Sequence, residues 1–249
     1  MKKTPAYIAA HIRRVLVNGA SAPHTEEVQR FFKDEIQSRG WYTHELRRVA
    51  VRLRKATLQD ADLKFLLAVC DKLFRGRVLE EKIFAVLMLQ GIASEFGDRE
   101  FKLFTSWLDR ISTWADHDAL ASYLLGPMIA AEAKRAKIVF QWAKSRDRWH
   151  RRAAAVSLIR AIRLKRCRRE VIQISNLLLK DQDDMVQKGL GWLLREAAKC
   201  DPEFTIPYLR KIRTRAPRLV LRTACETLSP SQREEILGIA RKGAAACAC

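Results

Sequence analysis

Apolar residues recur at three- and four-residue spacing along almost the whole chain, and no run alternates strictly between apolar and polar. The pattern predicts an all-helical protein. Tyr7, Ile8, His11, Ile12, Val15 and Leu16 form a stripe behind Thr4-Pro5, a cap and first helical position, and Asn18-Gly19 ends it. A second helix is expected from Pro23 through Val28, Phe31, Phe32 and Ile36 to a stop at Gly40. From Thr43 a strongly basic helix sets Leu46, Val49, Val51 and Leu53 against Arg47, Arg48, Arg52, Arg54 and Lys55. Further helices are predicted over about 59–74, 78–95 and 98–112, with breaks at Gly76 and Gly97. Another starts at Trp114 and is interrupted by Gly126-Pro127; the rest cover about 127–145, 147–164, 167–180, 184–200, 202–214, 217–227 and 230–242.

Pairs of helices recur at roughly 35 to 40 residues, the rhythm of HEAT-like or armadillo-like repeats. Short connections make neighbours antiparallel, and stacking such pairs winds an all-α, right-handed α-solenoid with a basic concave face. No Pro/Gly/Ser-rich linker divides the chain, so one domain over residues 1–242 is expected, followed by a flexible tail at 243–249.

Charge narrows the function. The chain holds 47 Lys and Arg against 28 Asp and Glu, a net charge of +19, which calls for an anionic partner or surface. Nucleic acid comes first. A membrane surface comes second, but no apolar run approaches the roughly 18 residues a spanning helix needs, and the charges within the first fourteen residues argue against a signal peptide. A cytoplasmic protein is expected, nucleoid-associated if bacterial. Between Lys134 and Arg169 fourteen basic residues face a single acid, Asp147, enough to lay a basic stripe on one surface. Each phosphate neutralised there would add roughly 0.9 to the logarithmic salt slope on duplex DNA. The six cysteines lack paired metal-ligand spacing and the five histidines are dispersed. No metal and no cofactor is expected, and Cys247-Ala248-Cys249 reads as a fraying, oxidisable end.

Three places join aromatics to charge. In Trp114-Ala115-Asp116-His117-Asp118, Trp114 and Asp118 lie one helical turn apart and share a face. That suits a small reactive site; the plainer alternative is a first helical turn whose acids favour the positive dipole end while Trp114 packs inward. In Asp147-Arg148-Trp149-His150-Arg151-Arg152 the indole could be core and the arginines solvated. In Gly189-Leu190-Gly191-Trp192-Leu193-Leu194-Arg195-Glu196, Trp192 has Lys188 four residues before it and Arg195 three after, all on one helix face. A Trp between two cations suits contact with sugar and phosphate.

Taken together, these residues resemble the AlkD-type DNA alkylation-repair glycosylases, a family built of HEAT-like helical repeats. The resemblance rests on Trp-x-x-x-Asp at Trp114 and Asp118, Trp-x-Arg-Arg at 149–152, Gly-Trp-Leu-Leu-Arg-Glu at 191–196 followed by Asp201-Pro202, and the late Leu-Ser-Pro-Ser-Gln-Arg-Glu at 228–234. Their order and separations match along about 200 residues. Gly40-Trp41-Tyr42-Thr43-His44-Glu45-Leu46-Arg47 is similar to the family's Gly-x-x-Thr-x-x-x-Arg approach to DNA. The resemblance implies excision of cationic N-alkylated purines, chiefly 3-methyladenine and 7-methylguanine, from double-stranded DNA. Asp118 would be the catalytic carboxylate, Trp114 and Trp192 would flank the deoxyribose, and Arg152 would hold a phosphate, with Arg151 as its substitute. Tyr42, Thr43, Arg47, Lys188 and Arg195 would contact the duplex. It further implies engagement through the backbone, where glycosylases usually extrude the base. Members often carry Asp directly after the first Trp; here Ala115 stands there, and Asp116 is the second-choice carboxylate.

The chemistry agrees with those roles. Alkylation at N3 or N7 makes the purine a cationic leaving group, so a strong general acid is dispensable, and an oxocarbenium-like sugar and a water remain. Asp118 could stabilise the cation and orient the water, and indole faces attract such a cation by about 0.5 to 2 kcal/mol. No lysine is placed for a Schiff base, so a monofunctional enzyme leaving an abasic site is expected, acting as a monomer with no obligate protein partner. The alternatives are a non-catalytic binder of damaged or branched DNA, and an interaction solenoid for an acidic protein or ribosomal RNA.

Overall fold

Side-chain caps written into the chain decide where seven of the sixteen described α-helices begin. Backbone N–H groups of the first turn donate to Thr4 Oγ1 (from Tyr7, 3.2 Å), Asp62 Oδ1 (from Phe65, 2.8 Å), Asp147 Oδ1 (from Trp149, 2.7 Å) and Asp183 Oδ1 (from Met185, 2.8 Å). In the computed structural model, which describes residues 4–238, the helices are α1 (Pro5–Asn18), α2 (Ala22–Gln29), α3 (Thr43–Asp60), α4 (Leu63–Phe74), α5 (Leu79–Gln90), α6 (Asp98–Ser106), α7 (Trp114–Leu120) and α8 (Gly126–Ala131). They continue as α9 (Ile138–Trp142), α10 (Arg148–Val156), α11 (Ile159–Arg163), α12 (Arg168–Leu178), α13 (Asp184–Cys200), α14 (Pro202–Ile212), α15 (Arg218–Ala224) and α16 (Pro230–Leu237). Among the described residues there is no strand. The all-helical expectation holds, and the architecture is consistent with an α-solenoid.

Several boundaries differ from expectation, each for a physical reason. The second helix stops at Gln29 instead of running to Gly40. Gln29 turns its side chain onto the following loop, accepting from Ile36 N at 3.1 Å and donating to Asp34 O at 3.0 Å. The expected 59–74 helix begins only at Leu63, because Ala61 is extended and Asp62 caps a new start. The expected 78–95 helix ends at Gln90, and only a 3₁₀ turn, Ala93–Glu95, follows. Gly126-Pro127 does not interrupt its helix: a π-helical turn, Ala121–Leu125, intervenes, with Gly126 N donating to Ala121 O, so the proline ring meets a widened turn. Gly238, at φ +63°, closes α16 earlier than expected. The 243–249 tail, with Cys247 and Cys249, lies outside the described residues.

The chain forms two compact units, Met1–Met128 and Ile129–Cys249. In the first, α5 is innermost, packed against α3, α4 and α7, with α1 against α4. Phe84 through Leu89 are all buried, so this helix is apolar on every side, as an internal helix should be. An aromatic cluster closes one flank, Phe74 stacking on Trp107 at 4.3 Å and Phe104 meeting Trp107 edge-on at 5.2 Å. In the second unit α13 is central, against α10, α11, α14 and α15. A methyl group at Gly191 would sit 2.6 Å from Thr223 Cβ; only glycine lets α13 and α15 approach this closely.

Asp71 ties the first unit's flank together. It accepts from Trp107 Nε1 at 2.9 Å, Arg110 at 2.7 Å and Arg75 at 2.8 Å. Burial alone would raise its pKa, but the bonds from Arg110, Arg75 and Trp107 prevail and hold the carboxyl below its ordinary value. A depressed carboxyl stabilises the fold above its unfolded pKa of about 4 and loses that contribution as pH falls through the lower folded value. Asp71→Asn is expected to cost about 1 to 3 kcal/mol at pH 7 and to narrow its deficit against wild type below about pH 4, as read by thermal melts across pH.

Candidate active-site surface and DNA contacts

The first turn of α7 separates its two carboxylates by environment. Asp116 is 0% exposed. It completes a capping box with Thr113, accepting from Thr113 N at 2.7 Å, Thr113 Oγ1 at 2.6 Å and Ser112 N at 3.0 Å. Its remaining capacity goes to the ammonium of Lys82, 3.1 Å away and itself 3% exposed, which also donates to Arg110 O and Ser112 Oγ. Nothing is left of Asp116 for a substrate. Asp118 keeps 20% of its side chain exposed and lies 2.7 Å from His117 Nδ1. An ionised carboxylate only accepts, so in that pairing the imidazole donates through Nδ1. His117 is completely buried, which fixes the ring and with it the carboxylate. Trp114, half-buried and one turn before Asp118, presents its indole on the same helical face.

A third aromatic stands against that indole. Phe32 stacks on Trp114 at 5.0 Å between ring centroids and 15° between planes. It comes from the non-helical segment after α2, whose far end is clamped by Glu80 of α5, accepting from Ser38 Oγ at 2.7 Å and Arg39 N at 2.9 Å. Gly40, at φ +67°, lets this segment turn where a side chain would strike Ser21 O at 2.2 Å. Tyr42 then serves as the N-cap residue of α3, 45% exposed and stacked on His24 at 3.9 Å. Thr43 is exposed on the first turn. Arg47 donates to Gln90 Oε1 at 2.6 Å and Tyr123 Oη at 3.2 Å, with its guanidinium over the Tyr123 ring; it is partly exposed but already oriented.

The remaining predicted residues belong to the second unit. Arg151 is bound to Asp181 at 2.6 Å and donates to the carbonyls of Ser145 and Arg146, tying α10 to the loop before α13. Arg152 is 5% exposed and donates to Met185 O, its stem lying where a methyl on Gly189 would be only 3.0 Å away. Trp192 is half-buried. Lys188 is exposed, 3.6 Å from Asp184. Arg195 pairs with Glu226, and Glu196 at 3.5 Å. Trp114, Asp118, Tyr42, Thr43 and Arg47 are thus all in the first unit, and Arg151, Arg152, Trp192, Lys188 and Arg195 in the second.

With this geometry in place, a protein-family model described as DNA alkylation repair enzyme matches residues 12–228. The chain belongs to the DNA alkylation repair enzyme family. Among solved structures, this family member is similar to a predicted DNA alkylation repair enzyme from Enterococcus faecalis, with a TM-score of 0.75 at 16% identity over 85% of this chain and 97% of that one. It is also similar to smu.31 from Streptococcus mutans UA159, with a TM-score of 0.53 at 20% identity over 74% of this chain and 100% of that one. No curated protein matches it. Among the described residues no helix is long and apolar enough to cross a membrane, and no group of three or more His, Cys, Asp or Glu could hold a metal ion.

The sequence did not single out Phe32, Lys82 or His117 for this candidate surface. Phe32 was hidden in an apparently continuous apolar stripe. Lys82 is 34 residues from its partner Asp116, and its one local signal is a cluster of charges, Glu80-Glu81-Lys82, at the head of an otherwise apolar helix. Breaking a buried pair from one side costs about 3 to 5 kcal/mol. Lys82→Ala is therefore expected to destabilise the fold by about that much, while Asp118→Asn leaves the melting temperature nearly unchanged; paired thermal melts of the two variants check this.

Proposed function

We propose that this protein is a monofunctional DNA glycosylase that excises cationic N-alkylated purines, 3-methyladenine and 7-methylguanine, from duplex DNA and leaves an abasic site. Membership of the DNA alkylation repair enzyme family supports a role in alkylation repair. The observation that carries the finer reading is the division between two acids on α7: Asp116 is fully buried and saturated, whereas Asp118 is partly exposed, braced by His117 and one turn from Trp114.

In this mechanism the N-glycosidic bond breaks with the electron pair leaving on the alkylated purine, which departs neutral because it began cationic. Asp118 stabilises the developing oxocarbenium charge and orients or deprotonates the attacking water. Trp114, backed by Phe32, offers a π face to the sugar cation, worth about 0.5 to 2 kcal/mol. His117 is a positioning residue that keeps the carboxylate from rotating. Arg152 is the phosphate ligand in this reading, as the family resemblance implies. Both arginines are already bonded, Arg151 to Asp181 and the buried Arg152 to Met185 O, so Arg152 would have to release its stem from that packing to reach a phosphate. Trp192, Lys188, Arg195, Tyr42, Thr43 and Arg47 supply further DNA contacts, and a neutral leaving base would be a poor substrate.

The test is release of 7-methylguanine and 3-methyladenine from methylated duplex DNA under single-turnover conditions. Asp118→Asn is expected to slow release by about 100-fold or more while still binding DNA. Wild-type protein that binds methylated DNA without releasing a base, or undiminished release by the variant, would overturn the assignment.

A further inference from the structure

The second unit holds a cavity of about 360 Å³ between α12 and α14, lined by Lys180, Lys211, Arg215, Tyr208, Asn176 and Leu179 among others. Three cations converge on it, and no carboxylate lines it. Other cations of the unit that point between helices are paired, Arg163 with Glu196 at 2.8 Å, Arg210 with Glu235 at 2.8 Å, and Arg168 with Asp201. The nearest acid in sequence and the acid paired to the neighbouring cation are both committed elsewhere. Asp181, beside Lys180, is held by Arg151 at 2.6 Å, and Glu235 is taken by Arg210, the neighbour of Lys211. Lys180, Lys211 and Arg215 form no ion pair among the described residues.

The uncharged walls are suited to the same ligand. Tyr208 Oη donates to Asn176 Oδ1 at 3.0 Å, which fixes the amide and leaves its nitrogen as a donor. Burial, opposed by weaker effects of Ser175 and Arg215, pushes the Tyr208 hydroxyl up to about 12, so it stays neutral and adds no negative charge. Two ammonium groups, a guanidinium and an amide N–H around one small cavity repel one another until an anion enters.

We propose that this cavity is a binding site for a compact multivalent phosphate group, a phosphomonoester or pyrophosphate. It is built from the second unit and uses none of the residues assigned to base excision. The shared chemistry has two sources, a free phosphorylated ligand or the terminal phosphate of a nucleic-acid strand.

Pyrophosphate titrated calorimetrically into the full chain at fixed ionic strength is expected to saturate at one equivalent. Lys211→Gln with Arg215→Gln should weaken it by about tenfold per cation. The charge-matched pair Lys64→Gln with Lys102→Gln, in the first unit, should leave it within about twofold. All four side chains are exposed, and melting curves check that both variants fold. Binding that never saturates, or equal weakening in the charge-matched pair, would sink the proposal. Competition then assigns the source: displacement by a 5′-phosphorylated duplex alone supports a strand end, and no displacement by either duplex supports a free ligand. Equal displacement by phosphorylated and unphosphorylated duplexes would mean that backbone charge alone is read, against the proposal.

Discussion

A lysine that is 3% exposed must have an anion beside it, and the first unit is arranged around meeting that demand. Lys82 sits at the head of α5 with Glu80 and Glu81, and each of the three buried charges holds a different element. Glu80 clamps the segment that carries Phe32, Glu81 accepts from Arg13 of α1 at 2.8 Å, and Lys82 holds the first turn of α7 through Asp116. Because α5 is apolar from Ile83 to Leu89 and fixed in the core, those contacts are made on a rigid base. The candidate surface, Phe32 against Trp114 with Asp118 one turn on, inherits its geometry from charges that are almost wholly buried.

The second unit uses charge differently. Its basic residues outnumber its acids, and four of the acids serve as bridges between helices: Asp181 to α10, Glu196 to α11, Asp201 to α12 and Glu235 to α14. Except for Glu235, these carboxylates are buried or nearly so while their arginines stay partly exposed; their effect beyond stability is to decide which cations stay unneutralised. The total of +19 therefore overstates the charge free for a ligand, and the placement of a few acids selects where it is displayed. Glu196 shows the strength of one such bridge. Burial raises its pKa, but Arg163, with Lys199 and Arg195 behind it, outweighs burial and keeps the carboxyl lowered.

The helical character of the chain was legible because nearly every helix carries its own period and many carry their own cap, as at Thr4, Asp147 and Asp183. What misled was periodicity without commitment. Val28, Phe32 and Ile36 are spaced as on a helix, yet the bonds that decide their conformation come from Gln29 and from Glu80, some forty residues away. Pro127 misled in the opposite direction, since a π turn absorbs a residue that normally ends a helix. In the candidate site, the pairing of Trp114 with Asp118 followed from i, i+4 spacing. The distinction between Asp116 and Asp118 did not, because it depends on burial and on a lysine in another helix. The resemblance alone ranks Arg152 ahead of Arg151; in the structure both are bonded within the unit, Arg151 to Asp181 and Arg152 to Met185 O.

The π turn at Ala121–Leu125 carries a further consequence. It places one more residue between α7 and the buried pair Leu124 and Leu125 than an α-helical path would. Each residue of an α-helix turns its side chain by about 100°. The wider turn absorbs that residue, so Trp114 and Asp118 before it and the buried Met128 after it keep the phase of one continuous helix, and deleting the residue would leave them on their present faces. A second insertion would find no such turn and would rotate the two halves out of phase, so that either Met128 left the core or Trp114 and Asp118 faced elsewhere.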